Sequence, residues 1–272
     1  MEKLRFKKVI IKGAGDLASG VAHRLWQSGF DVLMLELPQP LVVRRSVAFA
    51  CAVYEGTMRV EGVEARLCRS DDDKEIAELL SQRIIPVLVD PQGEIIPRFK
   101  PDVLVDAVLA KKNTGTALSD APIVIGLGPG FTAGKDVHAV VETQRGHNLG
   151  KVFYSGSAAP NTGIPGDISG YSMERLLRAP AGGKFEPVKQ IGELVRQGET
   201  VANVDGVPVP AGVTGLIRGL LYPGLQVHEG MKIGDIDPRG KEVDYLTISD
   251  KARAVAGGVL EAILHFSFLQ GK

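Results

Sequence analysis

Gly13-Ala14-Gly15-Asp16-Leu17-Ala18-Ser19-Gly20 spaces its small residues as G-x-G-x-x-A-x-G between a strand-like apolar run and a helix-like one. That context suits a phosphate. Gly13 permits a tight turn, and Gly15 lets an anion approach the free N–H groups of the helix start. Ala18 is an accepted small residue at the third position. Glu36 ends the next apolar run, 21 residues beyond Gly15, where an acid hydrogen-bonds a ribose diol. Asp16 is discordant, because a carboxylate repels a docking pyrophosphate. Either its side chain turns away or the ligand differs from plain NAD. Arg44 and Arg45 follow Glu36 closely. They suit a 2′-phosphate or another anionic tail, and equally a solvated basic pair.

A second set of chemistry-bearing loops lies further along. Gly126 near the end of the run Pro122–Leu127, with Gly128 and Gly130 just after it, places backbone donors at a strand's carboxyl end. The segment from Val137 to His147 carries Glu142, Arg145 and His147. Asp106 to Asn113 carries Lys112, and Asn161 to Gly166 reads as a rigid turn. His147 and Lys112 are the proton-donor candidates. The loops are expected to converge on one ligand site. Cys51 and Cys68 are the chain's two cysteines, without metal-ligand spacing, so neither a metal centre nor a disulfide scaffold is expected.

Such loops need a sheet to hold them at one edge. Short buried strands are read at Lys8–Lys12, Asp31–Glu36, Thr57–Val60, Val63–Cys68, Pro86–Asp90, Val103–Ala107, Ile123–Leu127 and Val152–Tyr154, with helices at Leu17–Ser28 and Asp71–Arg83. The expected fold is α/β: a Rossmann-like parallel sheet region over 1–180, a small all-β module over 185–240 and a C-terminal helix over 249–272. Glu193–Val201 and Gly224–Asp235 resemble the two halves of a biotinyl/lipoyl-like barrel-sandwich hybrid. Carrier function is rejected, since the tip Val204-Asp205-Gly206-Val207 has no lysine and Lys232 lies in the second half's turn.

The 272 residues, 44% hydrophobic and 24% charged, suffice for one large or two modest domains. Zero net charge argues against bulk binding of nucleic acid or anionic lipid. The 33 glycines exceed the roughly 19 of average usage. Lys3, Arg5, Lys7 and Lys8 open the chain with no signal-peptide apolar core behind them. No apolar run approaches the roughly 18 residues of a membrane span, so a cytoplasmic protein is expected.

Together, Lys12–Gly20, Glu36–Arg45, Asp106–Thr116, Gly126–Gly134, Glu142–Leu149, Asn161–Gly166 and Gly230–Arg239 resemble the YqeB-type accessory proteins of selenium-dependent molybdenum hydroxylase systems. That family is distantly similar to XdhC-type maturation factors. The resemblance implies a role in making, modifying or inserting the molybdenum cofactor, without supplying a catalytic mechanism. Three readings follow. A maturation factor would hold a nucleotide or a molybdopterin nucleotide, with Arg44, Arg45 and Arg145 facing phosphates and Cys51 as the better thiolate for sulfur or selenium, although a buried structural cysteine is the commoner state. Its partners would be a molybdenum hydroxylase or other cofactor-assembly proteins, with homo-oligomerisation left open. An NAD(P)-dependent oxidoreductase would use Glu36 on ribose and His147 or Lys112 as proton donor. A non-catalytic scaffold would keep the glycine loop without a ligand.

Overall fold

The computed structural model describes residues 7–69, 73–163 and 166–269. The chain forms two compact units that are discontinuous in sequence. The first comprises Met1–Pro40, Ala48–Asn161 and Ile248–Lys272, the second Leu41–Val47 and Thr162–Thr247.

In the first unit, β1 (Lys8–Lys12), α1 (Asp16–Gln27) and β2 (Asp31–Glu36) form a βαβ turn with β1 and β2 parallel. Val9, Ile10 and Ile11 are fully buried, as an apolar run with sheet neighbours on both sides requires. Helix α1 buries Leu17, Ala18, Val21, Ala22 and Leu25, the spacing of one helical face. It ends at Ser28, and Gly29 follows at φ +91°, a left-handed conformation that glycine adopts without strain.

The chain continues through α2 (Ala52–Glu55), β3 (Thr57–Val60), β4 (Val63–Cys68), α3 (Asp73–Ser81), β5 (Ile85–Val89), α4 (Ile96–Phe99), β6 (Val103–Asp106), β7 (Ile123–Leu127), β8 (Ala139–Val141) and β9 (Val152–Phe153). The nine strands make one sheet in the order β3-β4-β5-β2-β1-β6-β7-β8-β9. The chain thus moves out on one side of β1 and returns on the other. In open sheets of this kind such a reversal marks the usual ligand position, beyond the carboxyl ends of β1 and β6.

The expected Rossmann-like parallel sheet is corrected by this topology: the sheet is mixed. Glu61 (φ +45°) and Gly62 (φ +83°) make a two-residue hairpin turn, so β3 lies antiparallel to β4 at one edge. At the other edge β9 is antiparallel to β8. Helices do not cover the later crossovers in the expected way, since α4 has four residues and only a three-residue 3₁₀ turn, Leu118–Asp120, precedes β7. The segment holding Glu142, read as a loop, begins with strand β8.

The second unit holds β10 (Leu176–Arg178), β11 (Gly183–Pro187), β12 (Leu194–Val195), β13 (Thr200–Val204), β14 (Val207–Pro210), β15 (Gly215–Leu220), β16 (Gln226–Val227) and β17 (Lys232–Asp237). They form two four-stranded antiparallel sheets, β10-β17-β15-β12 and β14-β13-β11-β16. Asp205 and Gly206, both at positive φ, turn β13 into β14. Leu41–Val47 also belongs to this unit. Gly219 has no room for a side chain because a Cβ would lie 2.7 Å from the carbonyl oxygen of Val43.

The last helix, α5 (Asp250–Leu269), returns to the first unit. Ser249 Oγ accepts the Ala252 N–H at 3.2 Å and caps it. Ala252, Val255, Ala256, Val259, Ala262 and Ile263 form its buried stripe. At Gly20 of α1 a Cβ would come within 2.8 Å of the Ala252 Cβ, so glycine is what allows the two helices to pack this closely. No helix among the described residues is long and apolar enough to cross a membrane.

Candidate functional site

The carboxyl ends of β1, β2, β6, β7 and β8 share one edge of the sheet, because all five strands run parallel. The first glycine loop leaves β1 there. Gly13 (φ +92°) donates its N–H to the Leu35 carbonyl at 2.7 Å. Ala14 N–H donates to Glu36 Oε2 at 2.8 Å, and Leu37 N–H to Glu36 Oε1 at 2.7 Å. Glu36 therefore clasps the glycine loop with both oxygens. Burial pushes its carboxyl up from the ordinary value, against the pull of those two amides. A ribose diol would have to compete for oxygens already in use.

Gly15 precedes α1 in extended geometry with no side-chain cap, and beyond its chain neighbours nothing lies within 4 Å of where its Cβ would be. Asp16 turns back onto its own helix, where Oδ1 accepts the Leu17 N–H at 2.9 Å. Ala18 is buried in α1. Ala14 O accepts from Ser19 Oγ at 3.1 Å and from Ala50 N–H at 2.8 Å, which seats the segment ending in Cys51 against the loop. Cys51 itself is buried.

At the end of β1, Lys12 Nζ donates to Thr116 Oγ1 at 2.8 Å, and that hydroxyl donates to Asp106 Oδ2 at 2.6 Å. Lys12 Nζ lies 3.7 Å from the same oxygen, with both side chains largely buried. Asn113 holds Thr116 by accepting its N–H and donating to its carbonyl, each at 2.8 Å. A lysine is thereby fixed at the strand end beside the glycine loop.

The second glycine set fits loop to loop. A Cβ at Gly126 would strike the Phe131 ring, and one at Gly128 would lie 2.5 Å from Thr143 Oγ1. Gly130 (φ +111°) would meet the Lys112 backbone at 2.7 Å. These glycines allow close packing, and the Lys112 side chain is exposed beside them. Glu142 is buried and accepts three backbone N–H groups at 2.8 Å: Thr143 and Gln144 on Oε1, Ala159 on Oε2. It fastens two loops together. Arg145 pairs bidentately with Asp250 at 2.8 Å on the surface, and His147 is exposed.

Two expected contributors belong to the second unit. Arg44 is buried in the second unit and donates to the Thr247 carbonyl at 3.2 Å. Arg45 donates to the Leu220 carbonyl at 2.8 Å and stacks over Tyr222. In the expected turn at 161–166, Ile164 and Pro165 lie outside the described residues, as do Asp71 and Asp72 of the expected second helix.

The sequence reading missed Lys251, in the first turn of α5. It is half-buried, and burial lowers its pKa from the ordinary lysine value; Asp16, Glu142 and Asp250 oppose that shift, and Arg145 adds to it. Lys12 was legible as the residue before Gly13. Nothing local in the sequence marks Lys251.

No protein-family model matches the chain. It is 53% identical over 256 residues to the Escherichia coli (strain K12) protein named "Uncharacterized protein YqeB", covering 94% of this chain and 47% of that one. The chain spans about half the length of that relative. Among solved structures, the apo ectoine utilization protein EutE (DoeB) of Ruegeria pomeroyi is 12% identical, with 85% of this chain and 86% of that chain covered and a TM-score of 0.26. A succinylglutamate desuccinylase/aspartoacylase of Rhodobacter sphaeroides is 16% identical, with 85% of each chain covered and the same TM-score of 0.26. Likeness at that level carries no argument about this chain.

Proposed function

We propose that this chain is an accessory factor for a selenium-dependent molybdenum hydroxylase. It holds a nucleotide or molybdopterin-nucleotide species at the carboxyl edge of the first unit's sheet and assists that group's modification or insertion. The observation that carries this reading is the start of α1 at Gly15, which makes no side-chain cap, with Lys12 fixed at the adjoining strand end. A glycine-started helix N-terminus near a lysine suits the phosphates of such a ligand, which would compete with Asp16 for the Leu17 N–H and with Asp106 for Lys12. The donor set fits those phosphates, and the bound group supplies whatever chemistry its pterin and metal perform. The protein's part is to bind and orient it. The XdhC-like maturation role, a cytoplasmic setting and the hydroxylase partner belong to the same proposal.

The oxidoreductase alternative is weakened by Glu36, whose two oxygens serve Ala14 and Leu37. The test is to purify the protein from a host that makes molybdenum hydroxylases, denature it and identify released small molecules by mass spectrometry. A pterin nucleotide is the expected result. A nicotinamide dinucleotide would overturn it.

A further inference from the structure

Given the function proposed for this edge, on which the inference rests, we propose that the loop 107–115 after β6 is the common wall of one ligand site served by both glycine loops. Lys111 and Lys112 on that loop receive the phosphates of a nucleoside diphosphate group laid across the end of β6. Strand β6 lies between β1 and β7 and runs parallel to both, so its loop leaves the sheet between the two glycine loops. It packs against each of them. A Cβ at Gly13 would lie 3.0 Å from the Ala107 carbonyl oxygen, and one at Gly130 would lie 2.7 Å from both the nitrogen and the Cα of Lys112. Strands β1 and β7 are two strand spacings, about 10 Å, apart. A nucleoside diphosphate reaches across that distance, and an isolated phosphate does not.

The loop is tied down along its length. Its two ends are joined by the 2.6 Å hydrogen bond from Thr116 Oγ1 to Asp106 Oδ2, and Lys12 Nζ donates to the same hydroxyl at 2.8 Å. Asn113 Oδ1 accepts the Gly115 and Thr116 N–H groups. Between these ties Leu109 (φ +59°) and Lys111 (φ +62°) are left-handed although neither is glycine. Such conformations persist only where the surroundings fix them, and they gather at ligand clamps. The strained stretch carries two exposed lysines on consecutive residues, and among the described residues neither Lys111 nor Lys112 has a hydrogen bond or an ion pair. A fixed backbone bearing two unengaged cations takes up a polyanion without first having to order the loop.

The experiment uses the full chain with ADP, GDP, CDP and inorganic pyrophosphate as probes. Calorimetric titration is run on wild type, on the double variant Lys111→Met/Lys112→Met and on Lys100→Met, an exposed lysine that precedes β6 at the opposite edge of the sheet. Folding is checked by Trp26 fluorescence. Hydrogen exchange read by mass spectrometry follows residues 13–20 and 126–134 as the tightest nucleoside diphosphate is titrated into wild type. The expected result is one nucleotide per chain and protection of both segments with a single midpoint. The double variant should bind the nucleotide and pyrophosphate about tenfold or more weakly, and Lys100→Met should bind both as wild type does. Equal affinities in wild type and the double variant, two separate midpoints, or protection confined to 13–20 would overturn the shared site and leave nucleotide binding at the first glycine loop standing. Failure of every probe to bind wild type would overturn the shared site as well, and the mass spectrometry of released ligand then judges the proposed function separately.

Discussion

Glu142→Gln separates a structural carboxylate from a ligand-binding one. In the native chain Oε1 accepts the Thr143 and Gln144 N–H groups and Oε2 accepts that of Ala159. A glutamine of the same shape keeps the two bonds on its oxygen and turns an NH₂ toward the Ala159 N–H, so that donor faces donor. A hydrogen bond to a charged acceptor contributes about 1.5–3 kcal/mol, and a half-buried amide left without an acceptor adds its desolvation cost. The expected loss is about 3 kcal/mol. At about 2–4 °C per kcal/mol for a domain of this size, the melting temperature falls by about 6–12 °C. Trp26 is the chain's single tryptophan and lies on α1, so its fluorescence reports on the first unit. A fall of less than about 2 °C on that probe would refute the structural role. Unchanged melting with lost pyrophosphate binding would instead make Glu142 a ligand contact.

Three further outcomes follow from the same geometry. Gly15→Ala should cost under about 1 kcal/mol, since the backbone is extended and the Cβ meets nothing, yet it should weaken pyrophosphate binding by covering the helix start; undiminished binding would refute the docking position. Gly130→Ala should destabilise by at least about 2 kcal/mol in thermal melts, because φ is +111° and the Cβ would lie 2.7 Å from the Lys112 backbone; a neutral effect would show that the two loops do not pack as described. Burial lowers the His23 pKa below 6.5, with Glu61 opposing the shift and Arg253 and Arg24 adding to it. The unfolded chain therefore takes up the proton first, and stability should fall as pH drops below about 6.5. His23→Gln should flatten that slope in melts between pH 7.5 and 5.5, and parallel curves would count against it.

Local patterning made the elements of the first unit legible. Apolar runs such as Lys8–Lys12, Asp31–Glu36 and Ile123–Leu127 are the strands observed, and the glycine loop does link β1 to α1. Those features depend on neighbours a few residues apart, and side-chain periodicity and turn chemistry record them directly. Even the hairpin tip at Asp205-Gly206 was readable from its turn residues.

What the tertiary structure alone decided is where the rest of the chain goes. The antiparallel edge strands make the sheet mixed, Leu41–Val47 carries Arg44 and Arg45 into the second unit, and α5 returns to the first. The use made of each carboxylate was equally hidden. Glu36 has the position of a ribose acceptor, but its oxygens go to the nearest unsatisfied backbone amides, because buried N–H groups left unpaired are costly. Lys251 is 235 residues from Asp16 in sequence and within its electrostatic reach in space. Packing between two small-residue helix faces, at Gly20 and Ala252, sets that proximity, and no local pattern in the sequence encodes which distant faces will meet.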